Sequence, residues 1–352
     1  MESWLVLEPL DTFAARDGRA FDAGVHAVAR ATAPQPATVA GAVGAAFGAP
    51  PGAGADRAQR GRTVPAEVRG PVVVREYNGR WLPLLAMPRD VGYDEQSRQW
   101  VRLKPDGDLD GVAHDLGGLR LLGGDGDGDV KDKWWTSTTL AQYLDGDDSD
   151  LEPTDEPWQV ERRVGLARDD NRMAAEGMLY VAEHLRPAGR VGFAALCVDP
   201  PTRELMPSVP LGGEGRRARV HRCVDGVLPA APTLPDPPRS LPHGRLLVYL
   251  ATPAVFSHGW RPADEDLRGG ELVAAAVGGP QVTAMSRPDR RTGGVSHGRL
   301  IWAVAPGSVY LLRYPDEQAA LDAAAAWHGR TLPQADETLR TAGFGLALTG
   351  RW

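Results

Sequence analysis

The chain has 352 residues, 42% of them hydrophobic and 24% charged, enough to fill one large core or two ordinary ones. A formal net charge of −7 argues on its face against a nucleic-acid partner, because phosphate binding rests on Lys and Arg. The average is uneven, however: residues 105–156 hold fifteen Asp/Glu against three Lys/Arg, so an acidic insert masks a mildly basic body.

The opening Met1-Glu2-Ser3-Trp4 lacks the basic region, apolar run and cleavage site of a secretory signal, so a cytoplasmic location is expected. Trp4-Leu-Val-Leu-Glu-Pro-Leu10 is a short apolar run ended by proline, which predicts a buried central strand. A polar loop follows over 11–24. Residues 31–55 carry no charge, but Pro34, Pro36, Pro50 and Pro51 interrupt a stretch rich in Ala and Gly, so this is no membrane span. Pro36 suits a helix start, with Val39, Val43, Ala46 and Phe47 on one face, and Gly41 and Gly44 would let the backbone approach a sheet.

Runs at 71–77 and 80–87 joined through Asn78-Gly79 predict a hairpin. Within the acidic insert, Trp134-Trp135 precedes a short helix at about 138–144. Runs at 177–186 and 190–198 predict a second hairpin through Pro187-Ala188-Gly189. Cys197 and Cys223 stand apart from any Cys or His cluster, so buried small side chains are expected, with neither a disulfide framework nor a zinc site. Six prolines between 226 and 244 read as a loop. Beyond it the pattern predicts a strand at 246–251, a helix near 271–277, and strands near 281–285, 300–305 and 309–313. An alanine-rich helix over 316–327 and a glycine-punctuated strand at 343–348 complete the chain.

Both halves therefore suggest an α+β fold of two ferredoxin-like (RRM-like, βαββαβ) domains. The first would span 1–205 with the acidic insert at about 105–156, and the second 206–352 with the Pro-rich loop at about 226–244. This architecture hosts many activities and does not fix function.

A series of landmarks in order carries a resemblance. Leu7-Glu-Pro-Leu-Asp11 leads to Arg16-Asp17-Gly18-Arg19-Ala20-Phe21; Pro34-Gln-Pro-Ala-Thr-Val-Ala-Gly41 and Gly70-Pro71 follow. The middle holds Glu161-Arg-Arg-Val-Gly-Leu-Ala-Arg168, Glu176-Gly-Met-Leu-Tyr180 and Leu211-Gly-Gly-Glu-Gly-Arg216. Near the end stand Thr252-Pro-Ala-Val-Phe256, Gly259-Trp260, Ala305-Pro-Gly-Ser-Val-Tyr310 and Gly343-Phe-Gly345 with Gly350. Together they resemble the third-subunit family of the type III-B CRISPR Cmr complex, within the repeat-associated RAMP superfamily. Two features depart from it: Ala14 and Ala15 replace larger hydrophobic residues, and the insert around Asp125 to Asp129 has no counterpart.

The resemblance implies a non-catalytic CRISPR RNA-binding subunit that caps the 5′-handle end of the effector complex in antiviral defence. Its partners would be the guide RNA, the large polymerase-palm subunit and the first backbone subunit, with no membrane and no cofactor. Arg16 and Arg19 lie on a loop where guanidinium groups fork onto phosphate or stack on bases, although pairing with Asp11 or Asp17 is the blander alternative. Gly343, Phe344 and Gly345 would allow close approach of a phosphate to backbone amides, or serve packing alone. Arg216 and Arg217 on a glycine-rich loop suit sequence-independent contacts, or form a solvated charged turn. Arg162, Arg163, Arg168 and Arg172 would form a basic stripe on a strand, and Arg287, Arg290 and Arg291 a basic projection. His184 and Arg186, at alternate positions, would meet an unpaired base, or His184 would be structural. Trp134-Trp135 would clamp a base or pack in a core.

No phosphate-binding loop, nucleophile elbow or zinc helix motif is present. Asp125, Asp127 and Asp129 imitate an EF-hand, but Val130 and Thr136 occupy its required glycine and glutamate positions. His114-Asp115 alone makes no metal site. The rival readings are a metal-independent RNA-processing endonuclease of the same superfamily, drafting His26 or His184 with Tyr180, and an assembly subunit without RNA contact.

Overall fold

The computed structural model describes residues 1–16, 28–29, 31–105, 118–124, 130, 132–168, 173–284, 287–288, 295–296 and 300–352. In chain order the main elements are β1 (Glu2–Pro9), α1 (Pro36–Ala46), β2 (Glu67–Tyr77), β3 (Arg80–Ala86), β4 (Trp134–Thr136) and α2 (Ser137–Leu144). Next come β5 (Trp158–Arg168), β6 (Ala174–Pro187), β7 (Val191–Val198), β8 (Ser208–Pro210) and β9 (Arg217–Arg222). The second half holds β10 (Arg245–Leu250), β11 (Glu271–Ala276), β12 (Gln281–Ala284), β13 (Leu300–Ala303), β14 (Val309–Arg313), α3 (Glu317–Trp327), β15 (Arg330–Thr331) and β16 (Leu346–Gly350).

A seven-stranded antiparallel sheet runs β4-β3-β2-β7-β1-β9-β8, and a five-stranded antiparallel sheet runs β11-β14-β10-β16-β15. A smaller sheet joins β5 to β6, whose other edge takes Val28 and Ala29 in parallel. The α+β class is thus present, with mostly antiparallel sheets and few helices. β8 and β9 pair with one another, and β9 with β1, so the first sheet extends past residue 205 to residue 222.

Strand alternation explains the layering. Leu5 and Leu7 of β1 pack with Val39, Val43 and Phe47 of α1, while Val6 faces the second sheet. Likewise Leu246, Val248 and Leu250 meet Ala320, Ala323, Ala324 and Trp327 of α3, while Leu247 and Tyr249 join the core shared with Val6, Val72 and Val74. The layers are therefore α1, first sheet, second sheet, α3. Pro36 occupies the first turn of α1, and Asp316 caps α3 by accepting from the Ala319 amide at 2.8 Å. In the β2–β3 hairpin Tyr77 pairs with Arg80, and Asn78 and Gly79 both have positive φ (49° and 74°), as a two-residue turn of matching twist requires.

Counting β1, β2, β7 and β9 as first to fourth, the sheet order is second, third, first, fourth; β10, β11, β14 and β16 repeat it. Only one crossover in each sheet is an α-helix: α1 joins first to second strand in one, and α3 joins third to fourth in the other. Residues 199–216 hold the short β8 instead, and 251–270 a 3-10 turn at Asp264–Leu267. The complete βαββαβ unit expected in each half is therefore not formed.

Two local expectations are corrected. The helix near 271–277 is the strand β11, because seven residues between Gly269-Gly270 and Gly278-Gly279 are too few to propagate a helix and the backbone bonds to β14 instead. The runs at 177–186 and 190–198, which fall in β6 and β7, are not a hairpin. Pro187 has no amide to continue a ladder, and β7, buried on both faces, pairs with β1 and β2 whereas β6 pairs with β5. Among the described residues, no helix is long and apolar enough to cross a membrane.

Candidate nucleic-acid interface

Beyond Pro9 the chain leaves the first sheet and crosses to β6. Leu10 donates to the Arg217 carbonyl at 3.0 Å, and Phe13 and Leu185 exchange amide hydrogen bonds at 3.0 and 2.9 Å. Phe13 anchors the crossing edge-on against Trp158 and Phe193, at ring separations of 5.5 and 5.1 Å. The loop 211–216 closes over this segment, with the Gly213 amide on the Ala14 carbonyl at 2.8 Å. Gly212 has φ 76°, and a Cβ there would lie 2.5 Å from the Ala14 oxygen. Ala14 and Ala15, the small residues of the departure noted above, are buried beneath this loop.

Three segments remote in sequence thereby converge on Asp11. Arg216 donates to its carboxylate at 3.0 Å, Arg186 at 3.3 Å, and Arg163 stands at 3.7 Å. Glu161 shares the same cations, with Arg163 at 2.7 Å and Arg186 at 2.5 Å. The Thr12 amide, then Arg186, Arg163 and Arg216, hold the Asp11 carboxyl below the usual range. Hydrogen bonds from Arg186 and Arg163 do the same for Glu161. Three guanidinium groups thus face two carboxylates, and Arg186 remains half exposed. Such a group holds its arginines oriented while leaving one positive charge and open N–H donors for phosphate.

His184 lies behind the cluster. It is 3% exposed, its Nδ1 is 3.3 Å from the Thr12 hydroxyl, and burial, followed by the nearby Arg163 and Arg216, pushes its pKa down. This is the geometry of a neutral structural histidine rather than a base-stacking one. Arg162 points to the other face of β5, exposed and paired with Glu183 at 3.3 Å. Arg217 is held by the Ser208 hydroxyl and carbonyl at 2.8 and 2.9 Å.

Gly343, Phe344 and Gly345 lie in the interior. Phe344 is fully buried, and the Gly343 carbonyl accepts from the Thr252 hydroxyl at 2.7 Å. A Cβ at Gly343 would overlap the Gly70 carbonyl, and one at Gly345 the Gln334 amide. Packing therefore accounts for both glycines. Trp135 is buried with its indole N–H on the Leu151 carbonyl at 3.1 Å, and Trp134 stacks edge-on against Trp158 at 5.2 Å, so neither clamps a base.

Arg19, Arg172, Arg290 and Arg291 lie outside the described residues, as do His26, His114, Asp115 and the triad Asp125, Asp127 and Asp129. Arg16, Arg168 and Arg287 are described by backbone alone: Arg16 pairs with Ala31, Arg168 with Ala174 and Arg287 with Ser296. Among the described residues no group of three His, Cys, Asp or Glu could hold a metal. Sequence reading missed the Asp11 hub, whose contacts span 175 and 205 residues, and a neighbouring Glu8 that receives Arg190 at 2.9 Å and His221 at 2.6 Å. The alternative weighed for this loop paired Arg19 or Arg16 with Asp17 or Asp11; no local signal points to Arg186 or Arg216.

Comparison with known proteins adds the family. No curated protein sequence matches the chain. Solved structures similar to it include chains of the type III-B Cmr-beta complex bound to cognate target RNA, one with AMPPnP (TM-score 0.48) and one described without it (TM-score 0.47). Each is 15% identical, with 88% of this chain and 86% of the other covered. The family model for CRISPR-associated protein (Cas_Cmr3) matches residues 5–352, almost the whole chain. The landmarks read from the sequence therefore pointed correctly, and the chain belongs to the Cas_Cmr3 family, the third-subunit family of type III-B CRISPR Cmr effector complexes.

Proposed function

We propose that this family member is the non-catalytic subunit that binds the 5′ handle of the guide RNA and caps that end of the effector complex. In this role it docks onto the large polymerase-palm subunit and the first backbone subunit. The observation that carries the RNA reading is the convergence of Arg163, Arg186 and Arg216 around Asp11, which presents partly exposed, pre-oriented guanidinium groups. The resemblance extends the proposed RNA contact to Arg16, Arg19, Arg168, Arg172, Arg287, Arg290 and Arg291. Each half is best read as a ferredoxin-like unit in which one helical crossover is replaced, a reading supported by the repeated strand order.

The test is titration of labelled handle RNA at several salt concentrations. Replacing Arg186 and Arg216 by glutamine should weaken binding by roughly tenfold and flatten the salt dependence by about one to two charges. Unchanged affinity and slope would mean that this face does not meet RNA.

A further inference from the structure

At one rim of the core between the two sheets lies a cleft of about 450 Å³, within the ~300–1,000 Å³ range of small-ligand sites. Among the described residues it is lined by six cationic side chains, Arg102, Lys104, Arg120, Arg245, Arg313 and Arg351, against one carboxylate, Asp148. Three of the six are compensated: Arg102 by Asp90 and Asp148, Lys104 by Asp148, and Arg351 by Asp145. Among the described residues, the others have no ion pair.

The placement of two of these is unusual. Arg245 of β10 and Arg313 of β14 are direct partners across the antiparallel ladder. Like charges directly opposite one another are destabilising, and an intervening anion reverses the sign. Glu271 stands opposite Arg313 on its other side but is exposed and makes no ion pair with it. Arg245 Nε is buried without a hydrogen-bond partner. Its guanidinium lies 5.0 Å from the ring centroid of Trp352, and that ring is fixed by its N–H on the Leu312 carbonyl at 3.0 Å. The floor is equally rigid, because Arg102 packs 4.1 Å from the Tyr143 ring centroid and is held by Asp90. A guanidinium whose Nε is buried without a partner, placed directly cross-strand from a second arginine in a fixed cleft, offers donors and charge that an anion would answer.

We propose that this cleft is a second anion site, distinct from the Asp11 cluster, which takes the phosphate groups of a nucleotide-sized ligand between Arg245 and Arg313. Arg120 and Lys104 at the mouth supply further charge, and the site does not depend on the RNA-handle reading. Two sources offer the same chemistry, a free nucleotide and a backbone phosphate of RNA.

The full chain is titrated with inorganic pyrophosphate by calorimetry at low salt. Saturable binding is expected, weakened at least about tenfold in R245Q/R313Q. Thermal unfolding supplies a readout independent of calorimetry. Pyrophosphate should raise the melting midpoint of the wild type, whereas R313Q should melt no lower than the wild type without pyrophosphate and gain nothing from it. No binding to the wild type, or equal binding by R245Q/R313Q, overturns the proposal. Short single-stranded RNA then sorts the source: displacement of pyrophosphate assigns the site to an RNA phosphate, and simultaneous binding assigns it to a free nucleotide.

Discussion

The Asp11 cluster and the Arg245–Arg313 cleft are both built from arginine, yet they treat its charge in opposite ways. At Asp11 three guanidinium groups share two carboxylates at a partly exposed surface, where ion pairs orient side chains more than they stabilise the fold. In the cleft, Arg245 and Arg313 are direct partners across a strand pair and, among the described residues, neither has an ion pair; beside them lies a buried pair in which Arg102 is only 5% exposed. The difference teaches that counting basic residues is uninformative. What matters is whether each charge is already answered within the chain and how much water surrounds it.

The largest effect is expected where charge is buried and answered. Asp90 is fully buried, accepts from the Tyr143 hydroxyl at 2.7 Å and pairs with Arg102 at 3.2 Å. Asp90→Ala leaves Arg102 with the more exposed Asp148 and the Tyr143 and Arg351 carbonyls and strands the Tyr143 hydroxyl, so unfolding in urea should show a loss of about 3–5 kcal/mol. A loss under about 1 kcal/mol would place the pair with the surface bridges and remove the distinction between the two regions.

A smaller effect should follow from the histidines, one beside the Asp11 cluster and one under the second sheet. His328 places Nε2 2.8 Å from the Pro235 carbonyl and accepts the Thr349 amide at Nδ1, which fixes a neutral tautomer. Burial pushes the pKa of both His184 and His328 down. A histidine whose folded pKa is lowered takes up its proton more readily when unfolded. Its contribution to stability is therefore present above the unfolded value of about 6.5 and lost as pH falls through it. The melting midpoint should drop between pH 7.5 and 5.5, and the drop should shrink in H184Q and in H328Q. An undiminished drop in both would move the pH sensitivity to other groups.

Much of the fold was legible because its signals are local. Asn78-Gly79 announces a turn with two positive φ angles and Pro36 a helix start, and both stand where the pattern put them; the alanine-rich helix expected over 316–327 begins one residue later, at Glu317, with Asp316 as its cap. The misreadings arose where tertiary pairing overrides local preference. Alanine-rich β11 prefers helix in isolation but completes an edge of the second sheet, and β6 and β7 are adjacent in sequence yet separated by the two-sided burial of β7. At the candidate interface, Arg163, Arg186 and Arg216 were found as basic residues on strands and loops. Their common partner Asp11 was not, since only the fold brings residues so far apart in sequence to one carboxylate. Gly343 and Gly345 showed a need for close approach, and within this chain the approaching groups are the Gly70 carbonyl and the Gln334 amide.

The finest test makes the Asp11 cluster resemble the cleft. Asp11→Asn keeps hydrogen-bond acceptance from Arg186 and Arg216 but removes the charge that competes with phosphate for them. Because Asp11 is about half exposed, the stability change should stay within about 1 kcal/mol. Affinity for handle RNA should rise a few-fold, and the salt dependence should steepen by about one charge, since one more guanidinium charge is left to be answered by phosphate. The same substitution should leave pyrophosphate binding in the cleft unaltered. A fall in RNA affinity instead would show that Asp11 acts chiefly by orienting its arginines, and that the orientation is worth more to binding than the charge it cancels.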